Sequence, residues 1–175
     1  GEKWAGNSTL LHVLTGVYVA GAGKIRYQGR EVIFRDPNEA QDAGISIVHQ
    51  ELNLMNHLTV AQNIFIGREA KGFVLNDKAL NQKAKELFDR LKVNIDPTEQ
   101  VGRLTVGKQQ MVEIAKAISF DSSLLVLDEP TAALTDAEIE ELFSIMFDLR
   151  AQGVSMIYIS HRMDEIMRVS NRITV

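Results

Sequence analysis

Apolar positions along this chain change their period several times, and each change marks an element. Residues 10–17 (LLHVLTGV) place Leu10, Leu11, Val13 and Leu14 on the apolar side of a predicted helix. Residues 24–28 and 31–34 read as short strands joined at Gly29-Arg30, a two-residue loop with glycine first, so a hairpin is expected. Residues 45–49 form a β-branched run that predicts a strand. From residue 51 to about 118 the pattern turns helical, with Leu80, Ala84, Leu87, Phe88 and Leu91 at spacings of three and four. Residues 124–128 (LLVLD) are an apolar run of buried-strand type. Thr135 and Glu138 predict a capping box, and Ile139, Leu142, Phe143, Met146 and Leu149 a buried stripe, with Gly153 closing that helix. Residues 156–160 predict another buried strand. Strands alternating with helices imply an α/β protein with a parallel sheet and a helical insertion. No internal repeat or low-complexity segment interrupts the pattern.

Composition narrows this picture only at its edges. With 175 residues, 45% of them apolar and 24% charged, the chain suits one globular domain with a sizeable core. A net charge of −4 offers no bulk attraction to nucleic acid. The absence of cysteine excludes a disulfide scaffold and a thiolate metal site, and fits a cytosolic protein. No apolar run approaches the ~20 residues of a membrane span, and no signal peptide is evident, so any membrane role would be peripheral.

The chemistry concentrates at a few places. The strand at 124–128 ends in adjacent carboxylates, Asp128 and Glu129, as a buried parallel strand does when it delivers acid groups to a phosphate and magnesium site. Upstream, Thr105-Val106-Gly107 precedes the helical string GKQQMVEIAKA, so free backbone N–H groups and a positive dipole end would point at an anion. Gln50 follows a strand and carries both a donor and an acceptor. His161 ends another strand, where an imidazole can donate to a phosphate; taken alone it would read as a satisfied core or edge histidine. His12 and His57 read as structural.

These segments, in this order, resemble an ATP-binding cassette ATPase, the motor domain of ABC transporters. LTVGKQQ is similar to the LSGGQ signature, departing from it at Thr105, Val106 and Lys108, and the longer string resembles the variant found in bacterial monosaccharide importers. LLVLDEP resembles Walker B, IVHQELNL the Q-loop at Gln50, YISHRMDEI the switch histidine at His161, and residues 1–9 the Walker A loop. The resemblance implies a P-loop NTPase (RecA-like) core with a small antiparallel β edge and a helical subdomain. Residues 1–50 and 119–175 would form the two parts of the core, and residues 51–118 the helical subdomain. It implies ATP and Mg2+ as cofactors. Asp128, Ser8 and Gln50 would serve the metal, and Glu129 would polarise the attacking water, with Gln50 and His161 completing the catalytic set. Gly1, Ala5, Gly6, Asn7, Ser8 and Thr9 would surround the phosphates. Thr105, Val106, Gly107 and Lys108 would reach a nucleotide held by a second domain.

The Walker A string departs from its pattern. A working loop is G-x-x-x-x-G-K-[ST], whose amides cradle phosphate and whose lysine reaches the β and γ groups. Ser8 and both framing glycines fit, but Asn7 stands where the lysine belongs and Trp4 stands at a glycine position. Compared with the family form GENGAGKST, the differences are confined to Lys3, Trp4 and Asn7. Either the domain lacks its lysine and hydrolyses poorly, or the departures belong to the chain's start alone. The intact Ser8, Gln50, Asp128, Glu129 and His161 favour the second. In the family a strand and an adenine-stacking aromatic precede this loop, so the chain is expected to be an excerpt of a longer protein.

The resemblance also implies partners. Two such domains pair head to tail, often within one polypeptide, so that the signature turn of one faces the γ-phosphate bound by the other. The pair drives membrane permease subunits, which receive sugar from a periplasmic binding protein; no nucleic acid is involved. The expected place is the cytoplasmic face of the bacterial inner membrane. HQELNLMNHLTVAQNIFIGRE, from His49, is the segment expected to pass the motion on, although Leu52, Leu54 and Met55 would serve equally as core.

Overall fold

The structure, a computed structural model, describes residues 26–27, 30–31, 42, 44–49, 52–66 and 76–169. The helix expected at 10–17, the whole Walker A string, and Gln50 lie outside the described residues. Two short antiparallel strands, β1 (Arg26–Tyr27) and β2 (Arg30–Glu31), pair Arg26 with Glu31 and Tyr27 with Arg30. That register corrects the hairpin read from the sequence: Gln28 and Gly29 lie between the paired residues, and Arg30 belongs to the second strand. Favoured two-residue loops carry glycine first or second, so composition alone leaves the register open by one residue.

A three-stranded parallel sheet runs in the order β3 (Ile45–Val48), β4 (Leu124–Asp128), β5 (Ser155–Ile159). Val48 is opposite Leu127, and Asp128 opposite Ile159, so the carboxyl ends of all three strands fall on one side. β4 lies between its neighbours, and Leu125, Val126 and Leu127 are buried, as its apolar run requires. β5 is half-buried rather than the fully buried strand its sequence suggests, because it pairs only with β4 among the described residues.

Helices supply the rest. α1 (Val60–Phe65) opens on a capping box between Thr59 and Gln62. α2 (Asp77–Leu91) starts at Asn76, whose side chain accepts from the Ala79 amide, and stops at Lys92 in a left-handed conformation. Its expected stripe is present: Ala84, Phe88 and Leu91 are buried, with Leu80 and Leu87 packed beside them. A 3-10 turn (Val101–Arg103) leads into α3 (Val106–Ile118), which packs on both α1 and β3. One continuous apolar cluster therefore joins the helical segment to the sheet. α4 (Asp136–Ala151) opens on the predicted Thr135–Glu138 box and buries all five residues of its predicted stripe, and Ile145 as well. It ends before Gly153, whose φ of 93° is the left-handed conformation that a glycine adopts without strain. α5 (Met163–Val169) is held to α4 by Arg168, which pairs with both oxygens of Glu140 at 2.7 and 2.8 Å and stacks 4.9 Å above Phe143.

Candidate functional site

The site lies beyond the carboxyl ends of the sheet, where an open parallel sheet leaves its loops facing one crevice. Glu129 is the first residue past β4. Its amide still donates to the Ile159 carbonyl at 2.9 Å, which carries the pairing with β5 one step further. Its φ of 49° is left-handed, an arrangement that costs a non-glycine residue on the order of 1–3 kcal/mol and persists only where its surroundings over-determine it. The side chain is 16% exposed, and its Oε1 lies 3.0 Å from Nε2 of His161. Burial raises the Glu129 carboxyl above its ordinary value; His161 opposes the shift and the neighbouring Asp128 charge adds to it. A raised carboxyl is a more basic carboxylate, which suits proton abstraction from water.

His161 stands two residues past β5, with 61% of its side chain exposed. It is therefore not a core histidine: its exposed ring meets a half-buried acid. Asp128, half-exposed at the last position of β4, presents a hard oxygen donor beside Glu129. Among the described residues no cluster of three or more His, Cys, Asp or Glu could cage a metal ion. That donor set fits magnesium, which is commonly bound through one or two carboxylates with substrate phosphates and water completing the shell.

The signature turn forms a second part. Thr105 is the N-cap of α3, and its Oγ1 accepts from the Lys108 amide at 3.3 Å. Gln109 clamps the turn from within, donating to the Val101 and Leu104 carbonyls at 3.1 and 3.2 Å. Val106 is 46% exposed, Thr105 and Lys108 are exposed, and the first turn of α3 carries no acidic residue. Gly107 differs from these three. It is buried, and a Cβ added there would overlap the carboxylate of Glu138 from α4. Glu138 has two tasks: Oε1 accepts from the Thr135 amide at 3.2 Å, while Oε2 is buried without a hydrogen-bond partner.

The structure thus brings Asp128, Glu129 and His161 together, and presents Thr105, Val106 and Lys108 at an open helix start. Gly1, Ala5, Gly6, Asn7, Ser8, Thr9 and Gln50 lie outside the described residues. Several polar residues with defined partners escaped the sequence reading. Glu113, on α3, accepts from the Asn53 amide at 2.9 Å, tying the segment after the Q-loop to the signature helix. Asn63 accepts from the Met55 amide at 2.8 Å and donates to the Met55 and Thr59 carbonyls, fixing the loop that carries the half-exposed Leu54 and the exposed Met55. Glu165 is fully buried behind His161. Its position four residues before the packed Val169, on one side of α5, was the available signal.

Residues 1–132 match the ABC transporter family model. The chain is 59% identical, over its whole length, to a ribose/galactose/methyl galactoside import ATP-binding protein of Burkholderia cenocepacia, and spans 35% of that relative. It is 52% identical to a ribose import ATP-binding protein of Geobacillus kaustophilus, of which it spans 36%. Among solved structures, an ATP-binding cassette of an ABC transporter in its ADP conformation superposes with a TM-score of 0.82 at 24% identity, covering 95% of this chain and 70% of that one. A nucleotide-free cassette gives the same TM-score over 97% of this chain and 71% of its own. By its family match, its relatives and its parallel-sheet fold, this chain belongs to the ABC transporter family, within the ATP-binding cassette.

Proposed function

We propose that this chain binds and hydrolyses ATP, and that hydrolysis powers the import of a monosaccharide of the ribose or galactose kind. The observation that carries the chemistry is the 3.0 Å contact between Glu129 and His161 at the ends of parallel strands. Glu129 takes the proton of the attacking water as the oxygen–phosphorus bond forms and the bond to the bridging oxygen of ADP breaks. Its pairing with His161 Nε2 holds the carboxylate in one direction, and that donor would turn to the γ-phosphate once ATP is bound. Asp128 would hold magnesium together with Ser8 and Gln50; the metal supplies charge neutralisation on the phosphate oxygens.

The exposed start of α3 supports a paired assembly. Thr105, Val106 and Lys108 of one domain face the nucleotide on a second, with the buried Gly107 shaping the turn behind them, in a head-to-tail pair that ATP closes and hydrolysis loosens. The pair works beneath membrane permease subunits on the cytoplasmic face of the inner membrane, with sugar arriving through a periplasmic binding protein. No helix among the described residues is long and apolar enough to cross a membrane, which suits a peripheral place. The import role rests on the relatives' names. A second reading, a nucleotide-binding domain of low activity that serves its partner, is favoured by Asn7 at the lysine position.

The test is reconstitution of the full-length protein with its permease in lipid vesicles. ATP turnover stimulated by ribose- or galactose-loaded binding protein supports the reading. Turnover indifferent to every sugar removes the import role, and ATP bound without turnover in an otherwise assembled complex selects the second reading.

A further inference from the structure

Behind the Glu129–His161 contact lies a carboxylate that the proposed reaction does not use. Glu165 is 2% exposed. A buried carboxylate is costly unless its lone pairs are met, and removing it alone would leave the groups that meet it without a partner. Here the lone pairs are met by four residues. The Thr131 hydroxyl lies 2.9 and 2.8 Å from the two oxygens, the Tyr158 hydroxyl donates at 2.8 Å, and Ser160 donates at 3.4 Å. Nη1 of Arg162 pairs with Oε1 at 2.9 Å. Burial first, then the bond to Glu165, raises the Tyr158 hydroxyl well above its ordinary value, so it stays protonated and remains a donor.

The origin of these partners matters more than their number. Thr131 follows Glu129 by two residues; Ser160 and Arg162 flank His161 on either side. The Arg162 amide also donates to the Ser160 hydroxyl at 3.0 Å, closing the turn around His161. Both chain segments that carry the reacting pair are therefore bonded to one buried group. The left-handed Glu129 needs its surroundings to hold it, and His161 is largely exposed.

We infer that Glu165 is a positioning residue: its carboxylate locks the segments after β4 and β5 in the register at which His161 Nε2 meets Glu129 Oε1. This rests on the proposed catalytic pair, and the experiment separates the two. In the full-length protein with ring-labelled histidine, the His161 resonance is identified by its loss in His161→Ala. The shift that Glu129→Gln causes in it is then read with Glu165 present and with Glu165→Ala. The expected result is a clear shift in the parent and none in the Glu165→Ala background, with circular dichroism unchanged. ATP turnover, read in a background carrying Lys3→Asn, Trp4→Gly and Asn7→Lys, should fall roughly 10- to 100-fold, the scale of a misplaced catalytic group, with KM for ATP unchanged.

If Glu165→Ala does not fold, Glu165→Gln decides, since it keeps the volume and one acceptor oxygen but loses the pairing with Arg162; both readouts should weaken. Parent-like coupling and turnover in a folded Glu165 variant overturn the inference while leaving the pair intact. No shift from Glu129→Gln in the parent removes the contact, and the inference with it. A parent that couples but never turns over ATP counts against the proposed function alone, and the resonance still decides Glu165.

Discussion

Glu129 and His161 meet because two strands in register bring the residues beyond their ends to one place, and each then has a separable consequence. In a full-length version that also carries Asn7→Lys, Glu129→Gln keeps the volume but cannot accept a proton, so ATP should remain bound while turnover falls by about 10²- to 10⁴-fold, the range for a general base. Loss of binding with normal turnover of what stays bound would remove the assignment. The same substitution has a pH signature. Burial holds the Glu129 carboxyl above its ordinary 4.5, so the fold favours its protonated form. Its contribution to stability is thus complete below 4.5 and lost as pH rises through the raised value. Glu129→Gln, neutral throughout, should therefore be more stable than the parent at neutral pH, and the difference should close as the solution is acidified. Thermal unfolding across that range checks it. His161→Ala should lower turnover by ~10²-fold without melting the domain, since the exposed ring contributes little packing. A variant that unfolds but keeps its rate per folded molecule would make His161 structural.

At the scale of elements, Glu138 connects the start of α4 to the start of α3. One oxygen completes the capping box with Thr135, while the carboxylate packs where a Cβ at Gly107 would sit. Thr135→Ala removes the cap and should cost about 1 kcal/mol, lowering Tm by ~2–4 °C for a chain of this length. Gly107→Ala should cost a similar amount because the Glu138 carboxylate must move and desert the box. The two losses then overlap, so the double variant should be more stable than the sum predicts. Strict additivity in thermal unfolding would show that Gly107 and the cap are independent. In the core, Phe88→Ala should cost ~3–5 kcal/mol, read from denaturant midpoints, because Phe88 lies fully buried in the cluster shared by helices and sheet.

For the whole molecule, the governing question is whether the phosphate loop works. As written, Asn7 and Trp4 should leave ATP turnover very low. The triple change Lys3→Asn, Trp4→Gly and Asn7→Lys, in a version extended upstream, should recover magnesium-dependent hydrolysis. An ammonium group neutralises charge on the β- and γ-oxygens, which an amide dipole does far less well. The control is the extended version with the loop unchanged. If it already turns over ATP as fast, some other cation supplies the charge, and Lys3 is the first to examine.

Periodicity was enough for β4, for the stripes of α2 and α4, and for the α4 cap, because burial on one face repeats at the spacing of the element itself. The order of short motifs singled out Asp128, Glu129 and His161 as candidates, although no spacing placed the last beside the other two. Their meeting depends on β4 and β5 being neighbours in register, a relation between segments that local pattern does not encode. The one-residue hairpin slip has the same origin. So have the buried Glu165 with its hydroxyl partners and the packing of Glu138 on Gly107. A carboxylate reads as a surface residue until the fold surrounds it with donors, and only the tertiary structure decides which segments supply them.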